Sequence, residues 1–137
     1  MGRFVVDASA VLHLVRTGGQ LATKHKLLAP TLLRSETLSL LHEAVHRGEV
    51  TASAAREHLG QVAKIPIRLL GDAVLRRRAW DLADQLGWDS TYKAEYLALT
   101  QLQADAFVTM DAKLGREVRG VVALASIDEL VTPRRRR

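Results

Sequence analysis

The sequence predicts an α/β domain with a short, mainly parallel central sheet that is covered by helices on both faces. Short apolar runs alternate with amphipathic helical segments, and aspartates stand just beyond the carboxyl ends of two of these runs. Because each parallel pair of strands needs a crossover connection, usually a helix, this alternation favours a parallel sheet. With 137 residues the chain has the length of one domain, which we place at 1–132, followed by a basic tail at 133–137.

The first half of the chain is expected to hold two strands and three helices. The first strand ends at Asp7, and Gly18 closes the helix that follows it. Pro30 stands where the second helix can begin, and Thr51 can cap the third. The expected elements are strands at 3–6 and 27–29 and helices at about 9–15, 30–47 and 51–64. The predicted apolar stripe of the second helix consists of Leu33, Thr37, Leu40, Leu41, Ala44 and Val45.

The second half is expected to continue the alternation. Pro66 makes the apolar run at 65–70 an edge strand, because proline cannot donate to a central ladder. Asp72 can cap the next helix, and Gly87 ends it. The remaining expected elements are a helix at about 91–103 and strands at 106–109 and 121–124.

The composition excludes several classes of protein. There are no cysteines, which excludes a disulfide framework, a thiol nucleophile and a cysteine zinc site. Asp7 interrupts the opening apolar run, and no segment approaches the roughly 18 apolar residues of a membrane span, so we expect a cytoplasmic protein. The net charge of +5 favours a polyanionic partner, although part of the excess lies in Arg134 to Arg137, which we expect to be solvated.

Three acidic residues are candidates for one site. Asp7 and Asp111 each follow an apolar strand, and active sites of parallel sheets lie beyond the carboxyl ends of the strands. At about 100° per residue, Glu36 lies at the margin of the sheet-facing stripe of its helix. Thr109 is expected to orient Asp111, and Ser9 could do the same for Asp7. The alternative is that both aspartates only cap the helices after them.

A cluster of carboxylates favours a hard divalent cation. Carboxylates that lie close together repel one another unless a cation neutralises them. An oxygen-only set suits Mg²⁺ or Mn²⁺, which take carboxylates, waters and a substrate phosphate. Such an ion can activate water at neutral pH and stabilise charge on a phosphate during in-line attack. The acids therefore predict a magnesium or manganese site that could serve phosphodiester hydrolysis.

Three motifs, taken in order, resemble those of the PIN-domain ribonucleases, and specifically of the VapC-like toxins of bacterial type II toxin-antitoxin pairs. The segment 5–10 reads VVDASA and is similar to the first motif, and the segment from Pro30 through Glu36 to Leu41 is similar to the second. The segment 107–114 reads FVTMDAKL and looks like the last. The resemblance covers nearly the whole chain and implies that Asp7, Glu36 and Asp111 hold the metal.

The third motif of that family is altered in this chain. The family pattern is tyrosine, aspartate, alanine, any residue, tyrosine, any residue, alanine, leucine, whereas 92–99 reads YKAEYLAL and places Lys93 at the metal aspartate. Asp89, about one turn earlier, could replace that aspartate as a ligand, whereas Glu95 is expected to face elsewhere. Alternatively, the Lys93 ammonium replaces one cation by pairing with Asp7 or Asp111, or it is a solvated surface lysine.

A competing motif is HEAVH at 42–46, which matches the zinc metalloprotease pattern H-E-x-x-H. His42 and His46 would bind zinc, and Glu43 would act as the general base. Helical geometry places both histidines roughly opposite the apolar stripe, toward water, and no third ligand has an evident spacing. This motif predicts a zinc protease only as a remote alternative.

The resemblance implies a PIN-like, Rossmann-like three-layer fold and a Mg²⁺-dependent endoribonuclease toxin. It also implies a cognate antitoxin that neutralises the toxin and a homodimeric assembly. Asp7, Glu36 and Asp111 would be catalytic, and Asp89 would assist in metal binding. The alternative is a binding module that keeps the antitoxin interface but has lost cleavage through Lys93.

Overall fold

A computed structural model describes residues 2–22 and 24–132, so the predicted basic tail at 133–137 lies outside the described residues. These ranges contain four strands, each followed by one or two of six α-helices, and a short 3₁₀ helix at Ile127–Leu130. The strands are β1 (Arg3–Val6), β2 (Lys26–Pro30), β3 (Ile67–Leu70) and β4 (Ala106–Val108). The helices are α1 (Ala8–Thr17), α2 (Leu33–His46), α3 (Ala52–Lys64), α4 (Ala73–Leu86), α5 (Tyr92–Gln103) and α6 (Ala112–Val118).

The sheet is entirely parallel, and its strand order is β3-β2-β1-β4. This confirms the predicted α/β class. β3 lies at one edge, as Pro66 predicts, and the proline immediately precedes the strand. The chain moves from β1 outward to β3 and then returns to the opposite side of β1 as β4. The strand order therefore reverses beside β1, and in open parallel sheets such a reversal opens a crevice at the carboxyl ends of the strands.

Helices cover both faces of the sheet because the direction of winding reverses. Helices α1, α2 and α3 pack against one another, with Leu12, Leu41 and Ala55 in a small cluster between them. Helices α4 and α5 pack together, and α5 lies against β1, β2 and β4. The largest side chains of the main core that are almost fully buried are Phe107, Leu97, Leu99, Leu130, Val5 and Val6. These layers match the three-layer architecture that the sequence predicts.

The structure corrects three details of the predicted elements. The strand expected at 121–124 is reduced to a bridge between Leu124 and Phe107, in which the Phe107 amide donates to the Ala123 carbonyl at 2.8 Å. Helix α6 was not predicted, because only Leu114 and Val118 of its seven residues are buried and the sequence therefore shows little helical periodicity there. Leu40, assigned to the buried stripe of α2, is exposed.

Within the two described ranges, no helix has both the length and the apolar character that a membrane crossing requires.

Candidate active site

Two neighbouring strands deliver the candidate residues to the carboxyl edge of the sheet. Val6 of β1 pairs with Val108 of β4, so Asp7 and Thr109, the next residues, begin side by side. The Asp7 amide donates to the Val108 carbonyl at 3.4 Å, which continues the ladder by one step. The reversal of strand order beside β1 therefore places the first and last predicted motifs together.

Asp7 is the most constrained of the acids. Its carboxylate accepts hydrogen bonds from the Ser9 hydroxyl at 2.6 Å, the Ala10 amide at 2.9 Å and the Thr109 hydroxyl at 2.5 Å. The residue is only 8% exposed. Burial raises the pKa of Asp7; the hydrogen bonds oppose that shift, and the negative charge of Asp111 adds to it. Asp7 is thus held in one orientation next to a second negative charge.

Ser9 and Thr109 join the β1 and β4 loops. The Ser9 hydroxyl accepts from the Met110 amide at 2.9 Å and lies 3.3 Å from the Thr109 hydroxyl. The sequence predicts that Thr109 orients Asp111, but its hydroxyl donates to Asp7 and contacts Asp111 only through the Asp111 amide, at 3.1 Å. Both hydroxyls therefore position the carboxylate of Asp7.

Both aspartates also cap helices, as the alternative interpretation requires. Asp7 accepts from the Ala10 amide at the start of α1, and Asp111 accepts from the Leu114 amide at 3.1 Å at the start of α6. Capping uses Oδ1 in both residues. The two roles coexist, because the cap fixes the side chain while its charge still acts on the neighbouring acid.

Glu36 reaches the site from the first turn of α2. Its Oε1 accepts a hydrogen bond of 2.6 Å from the hydroxyl of Tyr96 on α5. Burial raises the pKa of Glu36, the Tyr96 hydrogen bond opposes the shift, and the charge of Asp7 raises the pKa further. Burial and the Glu36 carboxylate raise the pKa of Tyr96, so this phenol remains a proton donor. Tyr96 is a site residue that the sequence did not identify, and it is also buried in the core.

Lys93 is exposed on the first turn of α5, one turn before Tyr96 on the same side of the helix. Its positive charge opposes the upward shift in the pKa of Glu36, so the lysine lies within electrostatic range of that acid. The ion pairs of the described residues do not include Lys93, so the lysine is an exposed side chain that acts on the acids only at a distance. Its charge acts on Glu36, whereas the sequence predicts Asp7 or Asp111.

Asp89 and Glu95 are the other two acids near α5. Asp89, the predicted replacement ligand, is exposed in the loop between α4 and α5, and its role in metal binding stays a prediction. Glu95, expected to face elsewhere, is half-buried, and its pKa is raised by burial and then by the charge of Glu36. The positive charge of Arg76 opposes that shift. Glu95 is therefore the α5 acid that interacts electrostatically with Glu36.

The carboxylates suit a divalent cation in their chemistry but do not form a closed cage. Among the residues that the structure describes, no three histidine, cysteine, aspartate or glutamate side chains form a group that could hold an ion. The ion pairs found in the same ranges join Arg47 to Glu43 and Glu49, and Lys113 to Glu117, so none of them includes Asp7, Glu36 or Asp111. Mg²⁺ usually takes only one or two carboxylates and keeps several waters, which fits an open set of oxygen ligands.

The competing zinc motif lies on an exposed face of α2. His42 and His46 are exposed on α2, and the Glu43 carboxylate accepts from the Ser39 hydroxyl at 2.6 Å and pairs with Arg47 at 3.8 Å. Within 2–22 and 24–132 there is no third ligand that would complete a zinc site with the two histidines. The motif is a solvated helix face.

Comparison with known proteins supports the fold. Neither a protein-family profile nor a curated protein matches the chain. Among solved structures, PAE2754 from Pyrobaculum aerophilum is 24% identical, covers 93% of this chain and 90% of its own, and superposes with a TM-score of 0.72. VapBC-1 from nontypeable Haemophilus influenzae is 13% identical, with 92% and 98% coverage and a TM-score of 0.59. These likenesses support the expected PIN-like, VapC-like fold and, at such identities, concern the fold alone.

Proposed function

We propose that this chain is a VapC-like, metal-dependent endoribonuclease. The observation that carries the proposal is the buried Asp7 carboxylate at the point where the strand order reverses, fixed by three hydrogen-bond donors beside Asp111. Burying a carboxylate next to a like charge is unfavourable, and functional sites are where such arrangements concentrate. A helix cap alone would not need the two additional hydroxyl donors.

In this proposal, Asp7, Glu36 and Asp111 would draw together around Mg²⁺ or Mn²⁺, because without the ion they do not form a group of three among the described residues that could hold it. When bound, the ion supplies activation of water and stabilisation of charge on the phosphate. Ser9 and Thr109 fix the direction of the Asp7 carboxylate, and Tyr96 fixes that of Glu36. The α6 cap holds Asp111 against the end of β4. Asp89 remains a candidate for a further ligand if the loop before α5 rearranges.

The proposed setting is the cytoplasm, in complex with a cognate antitoxin. The likeness to a VapBC structure supports a toxin partnership, and the absence of cysteines suits a reducing compartment. A homodimer is part of the same proposal. RNA is the proposed substrate, and the net charge of +5 is in keeping with a polyanion.

The test is cleavage of RNA by the purified chain with Mg²⁺ or Mn²⁺. EDTA and Asp7→Asn should each abolish cleavage, whereas Asp81→Asn should not, because Asp81 is exposed on α4 and its substitution changes the net charge by the same amount. Cleavage that survives both EDTA and Asp7→Asn would contradict the proposal.

A second candidate function is favoured by Lys93. With a lysine in place of the expected aspartate, the chain could be a binding module that keeps the antitoxin interface and does not cleave. Lys93→Asp separates the two candidates. A large gain in metal binding and cleavage favours the impaired module, whereas a loss of cleavage indicates that the lysine contributes to catalysis.

A further inference from the structure

A groove runs from the candidate active site along β4 and α6. Its volume is about 450 Å³, and it is lined by residues that include Thr109, Met110, Asp111, Arg116, Arg119 and Leu124. We call this cleft the β4–α6 groove. Two of its lining residues, Thr109 and Asp111, belong to the acidic site, so a ligand in the groove would lie directly beside the carboxylates.

We propose that the β4–α6 groove binds a nucleotide of single-stranded RNA that flanks the cleaved bond. Arg116 and Arg119 would hold phosphates, and Met110 and Leu124 would form the apolar surface for a base. This inference rests on the proposed function, because it identifies where the substrate of that site would lie.

The charges of the groove support a phosphate ligand. Arg116 is in the last turn of α6 and Arg119 directly follows the helix, and both are exposed. The neighbouring acid of α6, Glu117, pairs with Lys113 at 3.9 Å, and in the described ranges the ion pairs include neither arginine. Two arginines with uncommitted guanidinium groups therefore line one cleft, and their planar forks match phosphate oxygens.

The apolar part of the groove supports a base. Met110 is 42% exposed and Leu124 is 38% exposed, so both present apolar surface to the groove. Gly115 keeps the groove open, since a Cβ at this position would lie 4.0 Å from Leu124 Cδ1 and longer side chains would fill the space. Every base has an apolar face, so such a surface accepts bases without strict sequence preference.

The groove exists because the segment expected as a fifth strand does not extend the sheet. Residues 121–125 contact β4 through Phe107, which donates to Ala123 and accepts from the Ala125 amide at 3.0 Å. Leu124 lies between these two bonds and lines the cleft with α6 opposite. A regular strand would pair further along β4, toward Thr109, where the groove now opens.

The test measures binding of a fluorescein-labelled single-stranded RNA of about 12 nucleotides by anisotropy, in EDTA, over a series of salt concentrations. Each phosphate contact contributes about 0.7 to the slope of log K against log salt for single strands, so Arg116→Ala/Arg119→Ala should lower that slope by about 1.4. The control Arg56→Ala/Arg77→Ala removes the same charge from exposed positions on α3 and α4 and should change the slope less.

Gly115→Leu provides an uncharged test of the same groove. Leucine favours helix more than glycine does, so the helix should persist while the side chain occupies the cleft. We expect RNA affinity to fall several-fold with the salt slope nearly unchanged, and the thermal unfolding midpoint should confirm that the variant is folded.

The proposal is overturned if the groove variants bind RNA like the control, or if the unmodified chain does not bind the RNA. Its failure is distinct from failure of the proposed function. RNA binding that depends on the groove, without Mg²⁺-dependent cleavage, would contradict the proposed nuclease function and support the groove proposal. Cleavage that does not change when Arg116 and Arg119 are replaced would contradict the groove proposal and support the nuclease function.

Discussion

Replacing Tyr96 by phenylalanine removes one oxygen atom and, with it, the donor to Glu36. Tyr96 is 3% exposed and its ring packs 6.2 Å from that of Phe107, so phenylalanine should keep the packing. A hydrogen bond to a charged group contributes about 1.5 to 3 kcal/mol. Water can partly replace the phenol because Glu36 is only half-buried, which places the expected loss at the lower end, about 1.5 kcal/mol. For a chain of this length, that corresponds to a fall of about 5 °C in Tm.

The same substitution should affect the proposed metal binding more than the stability of the fold. A glutamate released from its donor regains side-chain freedom that must be lost again on binding an ion. Loss of a partner that orients a ligand typically lowers metal affinity by about tenfold or more. We therefore expect weaker Mn²⁺ binding by calorimetry together with the modest fall in Tm in EDTA.

Tyr92→Phe is the matched control. It removes the same atom from the same helix, but the Tyr92 side chain is 65% exposed and its recorded hydrogen bond uses the backbone amide. This variant should bind Mn²⁺ and unfold like the unmodified chain. Equal Tm values and equal Mn²⁺ affinities for Tyr96→Phe and Tyr92→Phe would refute the assignment of Tyr96 as the residue that positions Glu36.

Three further outcomes are expected. Asp7→Asn should stabilise the metal-free chain, because burial raises the pKa of Asp7 in the folded state and its ionised form therefore costs stability above the unfolded pKa of about 4. The Tm of the variant in EDTA should equal that of the unmodified chain below pH 4 and exceed it increasingly from pH 4 to pH 7. Thr109→Val should lower the free energy of unfolding in urea by about 1 to 2 kcal/mol and remove most of the cleavage activity, because it leaves one Asp7 oxygen without its donor. Unchanged stability and cleavage would contradict the role given to the Thr109 hydroxyl. Leu97→Ala should cost about 2 to 5 kcal/mol by the same assay, and a smaller loss would place α5 outside the core.

The acids at the strand ends could be found from the sequence because they depend on local patterns. An apolar run that stops at Asp7 or shortly before Asp111 identifies the end of a buried strand, and parallel strands share the edge at which they end. The helical position of Glu36 was predictable for a similar reason, since Leu33 and Thr37 mark the buried side of α2. Their convergence required only the strand order.

The contacts of α5 could not be predicted in this way. Residues Tyr96 to Thr100 are all buried, so the helix has no continuous polar face from which its rotation could be inferred. The directions of Lys93 and Glu95 depend on how α5 packs against α4 and the sheet, which is a tertiary property. The same holds for the bond between Tyr96 and Glu36, which joins residues sixty positions apart in the chain.

The arrangement of charge around the acids adds to the case for a polyanionic substrate. On the α5 side, Lys93 and Arg76 act electrostatically on Glu36 and Glu95. On the β4 side, Arg116 and Arg119 line the groove that begins at Asp111. A negative centre between two basic margins would repel a polyanion at the middle and attract it at both sides. A divalent cation bound by the acids would reduce that repulsion, so RNA should bind more tightly with Mn²⁺ than in EDTA, and RNA should in turn raise the affinity for Mn²⁺.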